Sequence, residues 1–340
     1  MADITVEGLS KSFRVRRPVA KGQAKAGALA RLLAPRPVVE LPAVSNISFA
    51  VAAGERVAFI GPNGAGKSTT LKMLTGILRP SAGHAEVAGC VPWQQRRQLA
   101  RRIGIVFGQR SQLWYTLPVR SSFELLRRIY DVDRARHRAR LERLARTFEI
   151  CGLLDRPVSE LSLGQRIRCE IAASLLHGPG LLLLDEPTIG LDITAKAALR
   201  DHLGELSRAE GTTVLLTSHD TGDIETICDR VIVIDHGRLL LDQPLERLRR
   251  EFLQHRAMIL VTAEEHPRLE LPGVAVAAAE PYRLSLSVDT ARMPVEKVVA
   301  AALAQLSLRD IVIENPPLEE VIKAIYRDGI GQKEISHATG

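Results

Sequence analysis

The segment that most constrains this chain is Gly61-Pro62-Asn63-Gly64-Ala65-Gly66-Lys67-Ser68-Thr69, which directly follows the apolar run Arg56–Ile60. Its spacing is G-x-x-x-x-G-K-[ST], and its predicted place, between a strand and a helix running from Lys67 to about Thr75, is the one its chemistry requires. Glycines let backbone N–H groups turn inward around phosphate oxygens, and the helix N-terminus adds partial positive charge. Lys67 would then contact the β- and γ-phosphates of a nucleotide, and the Ser68 hydroxyl would ligate Mg²⁺.

The surrounding pattern agrees with such a loop. From Val57 onward, short β-rich runs alternate with helical stretches, as a parallel sheet with crossover helices requires. The predicted strands are Arg56–Ile60, Ile103–Phe107, Leu181–Asp185, Thr213–Thr217 and Val231–Asp235. Several are continuously apolar, which suits a sheet covered by helices on both faces, so the fold class is α/β. Ile4–Val6 and Ile47–Val51 read as shorter, half-buried strands. Between them the proline-punctuated stretch 14–42 reads as a basic insertion, with Ala24–Ala34 able to form a helix. Residues 118–148 lack strand signals and are rich in Arg and Leu, so a helical subdomain spanning about 115–180 is expected inside the core. After Leu248 the pattern changes to strands at Ala257–Val261, Val274–Ala278 and Arg283–Val288, a helix at Val295–Leu306, a strand at Asp310–Glu314 and a helix at Leu318–Arg327. The expected organisation is therefore a core domain over 1–248 and a small α+β domain over 249–340 ending in a flexible tail.

Downstream of the loop, Leu183-Leu184-Asp185-Glu186 closes a buried apolar strand with two adjacent carboxylates. Burying such a pair without a cation is costly, so a metal and a proton-accepting role explain it best. Asp185 would hold the Mg²⁺ shell, and Glu186 would orient and deprotonate an attacking water.

Beyond these residues the chain resembles the ATP-binding subunit of an ABC transporter, over about residues 1–245. Leu161-Ser162-Leu163-Gly164-Gln165 is similar to the family's signature loop, and the helix Arg166–His177 leads from it into the strand ending at Glu186. Phe13 resembles the aromatic that stacks on adenine, and Gln109 the loop glutamine that senses the γ-phosphate and Mg²⁺. Asp192 resembles the aspartate of the D-loop, which acts between the two halves of a dimer, and His219 the switch histidine. The resemblance implies a P-loop NTPase core of the ABC type. It also implies a dimer with ATP held between the phosphate loop of one subunit, Gly61 to Thr69, and Ser162, Gly164 and Gln165 of the other. Catalysis would fall to Glu186, His219 and Gln109, and Mg²⁺ to Ser68, Gln109 and Asp185. Two departures stand out: Leu163 replaces the commonest Gly, and Ile189-Gly190 precedes Leu191-Asp192 where Ser-Ala is more frequent.

Val106-Phe107-Gly108-Gln109, Leu113-Trp114-Tyr115 and Glu186-Pro187-Thr188-Ile189-Gly190-Leu191-Asp192 resemble the branch of sodium-, drug- and viologen-exporter-like ATPases. The insertion at 14–42 and the stretch Asn315-Pro316-Pro317-Leu318-Glu319-Glu320-Val321-Ile322 are similar to that branch too. Membership implies separate integral-membrane permease subunits, a second ATPase subunit that is a copy or a paralogue, and a peripheral place on the cytoplasmic face of the membrane. The rivals are an importer subunit and a soluble ABC ATPase acting on nucleic acid or ribosomes. The long coiled-coil or zinc insertions and second ATPase module expected of the latter are missing, so no nucleic-acid partner is expected.

Composition narrows these choices. The chain of 340 residues is 46% hydrophobic and carries a net charge of +7, with the excess gathered at 14–40 and 94–146. Such blocks suit an anionic membrane surface as well as nucleic acid. No apolar run nears the roughly 20 residues of a spanning helix, no secretory signal is visible, and four widely spaced cysteines suggest a reducing compartment. Trp114 and Tyr115, in the stretch Arg110–Arg120, fit either a permease groove or packing beneath the helical subdomain. Arg134–Arg146 reads as a solvated helix face, and Ala24–Ala34 as either a surface-binding helix or a loop. The C-terminal domain would stabilise the dimer or regulate its closure.

Overall fold

Long antiparallel strands precede the phosphate loop. In this computed structural model, which describes residues 2–16, 38–108, 111–252, 255–269, 271, 274–289, 292–314 and 318–328, β1 (Ala2–Arg16) and β2 (Val38–Ala52) pair from Ala2↔Ala52 to Arg16↔Val38. The helix expected at Ala24–Ala34 lies outside the described residues. Both strands run far beyond the short stretches that alternation suggests. The reason is local: Ile4 and Val6 obey period 2, a register shift between Val6 and Leu9 resets the phase, and Leu9 returns to the core. After β3 (Arg56–Ile60) and α1 (Lys67–Leu74) comes β4 (Ala82–Val87), which completes a three-stranded sheet ordered β2-β1-β4.

A second sheet carries the parallel core. The chain continues through α2 (Arg96–Ala100), β5 (Ile103–Phe107), α3 (Val119–Ile129), α4 (Arg134–Thr147), α5 (Leu163–Leu175), β6 (Leu181–Asp185), α6 (Ile193–Glu210), β7 (Thr213–Thr217), α7 (Thr221–Ile227), β8 (Arg230–Asp235) and β9 (Arg238–Pro244). The six strands are ordered β5-β6-β7-β3-β8-β9, and the pairs from β5 to β8 are all parallel. Leu181 to Leu184 are buried along their whole length, as expected of a strand covered on both faces. One hydrophobic cluster joins the two sheets through Ile4, Val51, Phe59, Leu74, Leu183 and Ile232.

The helical stretch 118–148 is two helices. Pro118 precedes α3, and the Asp133 carboxylate accepts the Ala135 and Arg136 backbone N–H groups to cap α4. Only part of the Arg-rich face is solvated: Arg140 and Arg143 both bridge Glu210 at the end of α6, and Arg140 Nε also donates to the Leu175 carbonyl at 2.7 Å. The covered aliphatic stem and paired head of Arg140 let it serve here as a packing residue.

The described chain forms two compact units, Met1–Asp242 and Gln243–Gly340. In the second, after α8 (Leu245–Phe252), β10 (His255–Thr262), β11 (Val274–Glu280), β12 (Arg283–Asp289) and β13 (Leu308–Glu314) make an antiparallel sheet ordered β11-β12-β10-β13. The helices are α9 (Val295–Gln305) and α10 (Leu318–Asp328). Met258, Leu260, Leu284 and Leu286 pack with Val298 and Ala302 of α9 to form its core.

Candidate nucleotide site

The site lies where three neighbouring parallel strands, β6, β7 and β3, end at their carboxyl edges, the usual ligand position in open α/β sheets. β3 delivers the phosphate loop. Gly66 sits at the start of α1 with φ 108°, a conformation an L side chain resists, and a Cβ there would approach the Ala43 carbonyl to 2.6 Å. The loop therefore turns tightly, and it borders a cleft of about 900 Å³. Residues from Gly61 to Thr69 line it, Ala65 excepted, together with Phe107, Gly108, Asp185, Glu186, Ile189 and His219.

Lys67 is 7% exposed, its ammonium donating to the Gly61 carbonyl at 2.6 Å and lying 3.9 Å from Glu186 Oε1. Ser68 Oγ donates to Asp185 Oδ1 at 3.3 Å. Glu186 Oε2 lies 2.7 Å from His219 Nδ1, and the histidine is otherwise open to solvent. Glu186 itself has φ 52°, unusual for a non-glycine residue and the kind of backbone strain that collects at functional positions. Opposite, Gly108 N–H donates to the Asp185 carbonyl at 2.9 Å, and a Cβ at Gly108 would stand 2.7 Å from the Glu186 carbonyl. Any side chain at 108 would push β5 off the acidic pair.

Thr217, at the end of β7, carries no motif yet is central. Fully buried, it donates its hydroxyl to Asp185 Oδ1 at 2.7 Å and accepts the Glu186 N–H at 3.1 Å. Only its place next to Ser218-His219 could have singled it out from sequence.

Of the other sequence-predicted residues, Phe13, Ser162, Gly164, Gln165 and Asp192 lie outside the cleft lining. Ser162 caps α5 in a reciprocal capping box with Gln165, so its hydroxyl and the helix N-terminus stand together at the surface. Gly164 is close to α6, since a Cβ there would meet Ala195 Cβ at 3.3 Å. Asp192 caps α6 by accepting the Ala195 N–H at 2.8 Å. Phe13 lies on β1, 40% exposed, with Lys11 Nζ 5.5 Å from its ring centre. Gln109 falls outside the described residues.

The loop after Gln109 is anchored to α5. Glu170 accepts the Ser111 hydroxyl and the Gln112 N–H, the latter at 3.1 Å, and burial pushes its carboxyl above the usual range. Trp114 and Tyr115 in the same loop remain 39% and 58% exposed.

The donor set suits magnesium, a hard cation that takes oxygen ligands: Ser68 Oγ and Thr217 Oγ1 both meet Asp185 Oδ1. Among the described residues no cluster of three or more His, Cys, Asp or Glu could hold a metal by itself. A cation here would be shared with phosphate oxygens, as magnesium usually is. Nor is any described helix long and apolar enough to cross a membrane.

Known proteins resemble this chain over most of its length. Residues 44–189 match the ABC transporter family model. The chain is 35% identical over 206 residues to the ABC transporter ATP-binding protein NatA of Bacillus subtilis (strain 168), a match covering 61% of this chain and 83% of that protein. It is 33% identical over 299 residues to the daunorubicin resistance ATP-binding protein DrrA3 of Streptomyces coeruleorubidus, covering 86% of this chain and 93% of the relative. A solved ATP-binding subunit of an ABC transporter superposes with a TM-score of 0.59 at 27% identity, over 73% of this chain and 92% of that one. The expected α/β fold of the ABC ATPase type is borne out.

Proposed function

The chain belongs to the ABC transporter family as an ATP-hydrolysing subunit coupled to transport, and from that premise we propose that it energises an exporter through nucleotide-driven closure and opening of a dimer. The observation that carries the site assignment is the meeting of Lys67, Ser68, Asp185, Glu186 and His219 at the ends of three adjacent strands. The phosphate loop, Gly61 to Thr69, binds the β- and γ-phosphates through its N–H groups and Lys67. Ser68 and Asp185, joined by Gln109, would hold magnesium, which when bound neutralises phosphate charge.

Glu186 accepts a proton from water as its oxygen attacks the γ-phosphorus; the bond to the bridging oxygen breaks, giving ADP and phosphate. His219, 2.7 Å from Glu186, orients that carboxylate and contacts the γ-phosphate. Ser162, Gly164 and Gln165 of a second copy complete the far side, Asp192 communicates between the two halves, and Phe13 stacks on adenine. The surface-facing N-terminus of α5 supports this role, because the partial positive charge of a helix start favours a phosphate. Loss of the γ-phosphate removes the charge that bridges the halves, and their separation drives the permease between states.

The exporter assignment rests on the drug-resistance relative and on the branch-like stretch from Val106 to Tyr115. The exposed pair Trp114 and Tyr115, on a loop fixed to α5 through Glu170, supports contact with an integral-membrane permease. We place the protein at the cytoplasmic face of the membrane, with 1–248 as the ATPase domain and 249–340 as an accessory domain. Purification from native membranes tests this reading. An integral-membrane protein is expected to co-purify, and EDTA is expected to stop hydrolysis. Nucleic acid or ribosomes in place of any membrane protein would overturn it.

A further inference from the structure

Beneath the rim of the nucleotide cleft lies a carboxylate that belongs to no motif. Asp223 is in the first turn of α7 and fully buried. Its Oδ2 accepts the Thr188 hydroxyl at 2.6 Å and the Ser218 hydroxyl at 2.6 Å, while Oδ1 accepts Arg200 Nε at 2.6 Å. The three donors come from three separate segments. Thr188 stands two residues after Glu186, Ser218 immediately before His219, and Arg200 on α6, whose N-cap is Asp192.

The surroundings make this a closed network. Ser218 Oγ also accepts the Asp220 N–H at 3.0 Å; Asp220 in turn pairs with Lys196 and Arg200, each at 2.7 Å. Thr188 and Ser218 are themselves buried, so neither hydroxyl has water as an alternative partner. A buried carboxylate is tolerated only when its acceptor sites are filled, and removing one partner from such a set strands the others. The turn that Thr188 anchors is thin: Ile189 N–H reaches the Glu186 carbonyl at 3.3 Å and Leu191 N–H the Thr188 carbonyl at 3.2 Å. At its start Glu186 holds a left-handed backbone conformation that the neighbourhood must enforce.

We propose that Asp223 is a positioning residue for ATP hydrolysis: by clamping Thr188 and Ser218 together it fixes the distance and angle between Glu186 and His219. It touches neither nucleotide nor water, so its effect falls on turnover and leaves nucleotide affinity alone. The inference rests on the functional reading of Glu186 and His219 given above.

The test is hydrolysis by the full-length chain, expressed per nucleotide-binding site counted by titration with a fluorescent ATP analogue. Asp223→Asn keeps the volume and loses the charge; kcat per site is expected to fall about 10- to 100-fold, the size of a small misplacement of reacting groups, with KM for ATP within about twofold of the parent. Thr188→Val is expected to lower kcat in the same direction, and Thr188→Ser, which keeps the hydroxyl, to restore it. If Asp223→Asn does not fold, the Thr188 pair decides alone. Parental kcat per site in Asp223→Asn, or equal rates for Thr188→Val and Thr188→Ser, would overturn the proposal. Glu186→Gln in parallel separates the two levels. If it stops turnover while Asp223→Asn is normal, only this inference fails; if it turns over normally, the reading of the site fails first.

Discussion

Gly190→Ala is expected to destabilise the first unit by about 2 to 3 kcal/mol, and the structure indicates how that sum divides. Gly190 has φ 76°, where alanine costs about 1 kcal/mol relative to glycine. An added Cβ would stand 3.0 Å from Leu163 Cδ2, and overpacking of that kind adds about 1 to 2 kcal/mol. For a domain of this size each kcal/mol moves the melting midpoint by about 2 to 4 °C, so the total shift is about 4 to 12 °C. Leu163→Ala removes the obstructing branch. In that background the steric part disappears and only the backbone part remains, a coupling of about 1 to 2 kcal/mol between the two sites. Thermal and urea unfolding of the parent, both single variants and the double variant measure it. The pair is informative because Leu163 and Gly190 are two places where the chain departs from the family's commonest residues, and the structure puts them in contact. If Gly190→Ala costs the same with and without Leu163, that contact does not explain the glycine.

Two further outcomes follow from burial and chain organisation. His177 is stacked on Tyr130 at 4.1 Å and bonded through Nε2 to the Ile103 carbonyl, and burial holds its pKa down at about 4. The unfolded chain, titrating near 6.5, takes up the proton first; stability therefore falls as pH drops from about 6.5 to 4, by at most about 3 kcal/mol from this group. His177→Gln is expected to flatten that slope in urea unfolding at pH 4 to 7, and an unchanged slope would exclude His177 as its source. Deleting the residues after Leu248 is expected to leave nucleotide binding intact; a folded truncation that no longer binds ATP would show that the accessory region contributes to the site.

How much of this is legible in the sequence depends on how local each signal is. The phosphate loop, the acidic pair and the buried strands β3, β6 and β7 announce themselves because glycine spacing and unbroken apolar runs are properties of neighbouring residues. β4 does not, since Ala82-Gly83-His84-Ala85-Glu86-Val87 has little strand character and gains its conformation from pairing with β1. Nor does the full length of β1, because the register shift after Val6 breaks the alternation that marks a strand. Arg140 and Arg143 read as solvated from spacing on α4, and only the distant Glu210 reveals that both are ion-paired and that Arg140 is largely covered. Thr217 and Asp223 are ordinary residues in sequence. Their roles arise from hydroxyl and carboxylate geometry across segments tens of residues apart.

In the proposed mechanism Glu186 removes the proton from the attacking water at a site whose binding is done by other residues. Glu186→Gln keeps the side chain's size and its place beside His219 while removing its basicity. This variant is expected to bind ATP with affinity close to the parent's, to hydrolyse it about 10²- to 10⁴-fold more slowly, and to accumulate with ATP as a dimer detectable by light scattering. Turnover near that of the parent would contradict that mechanism.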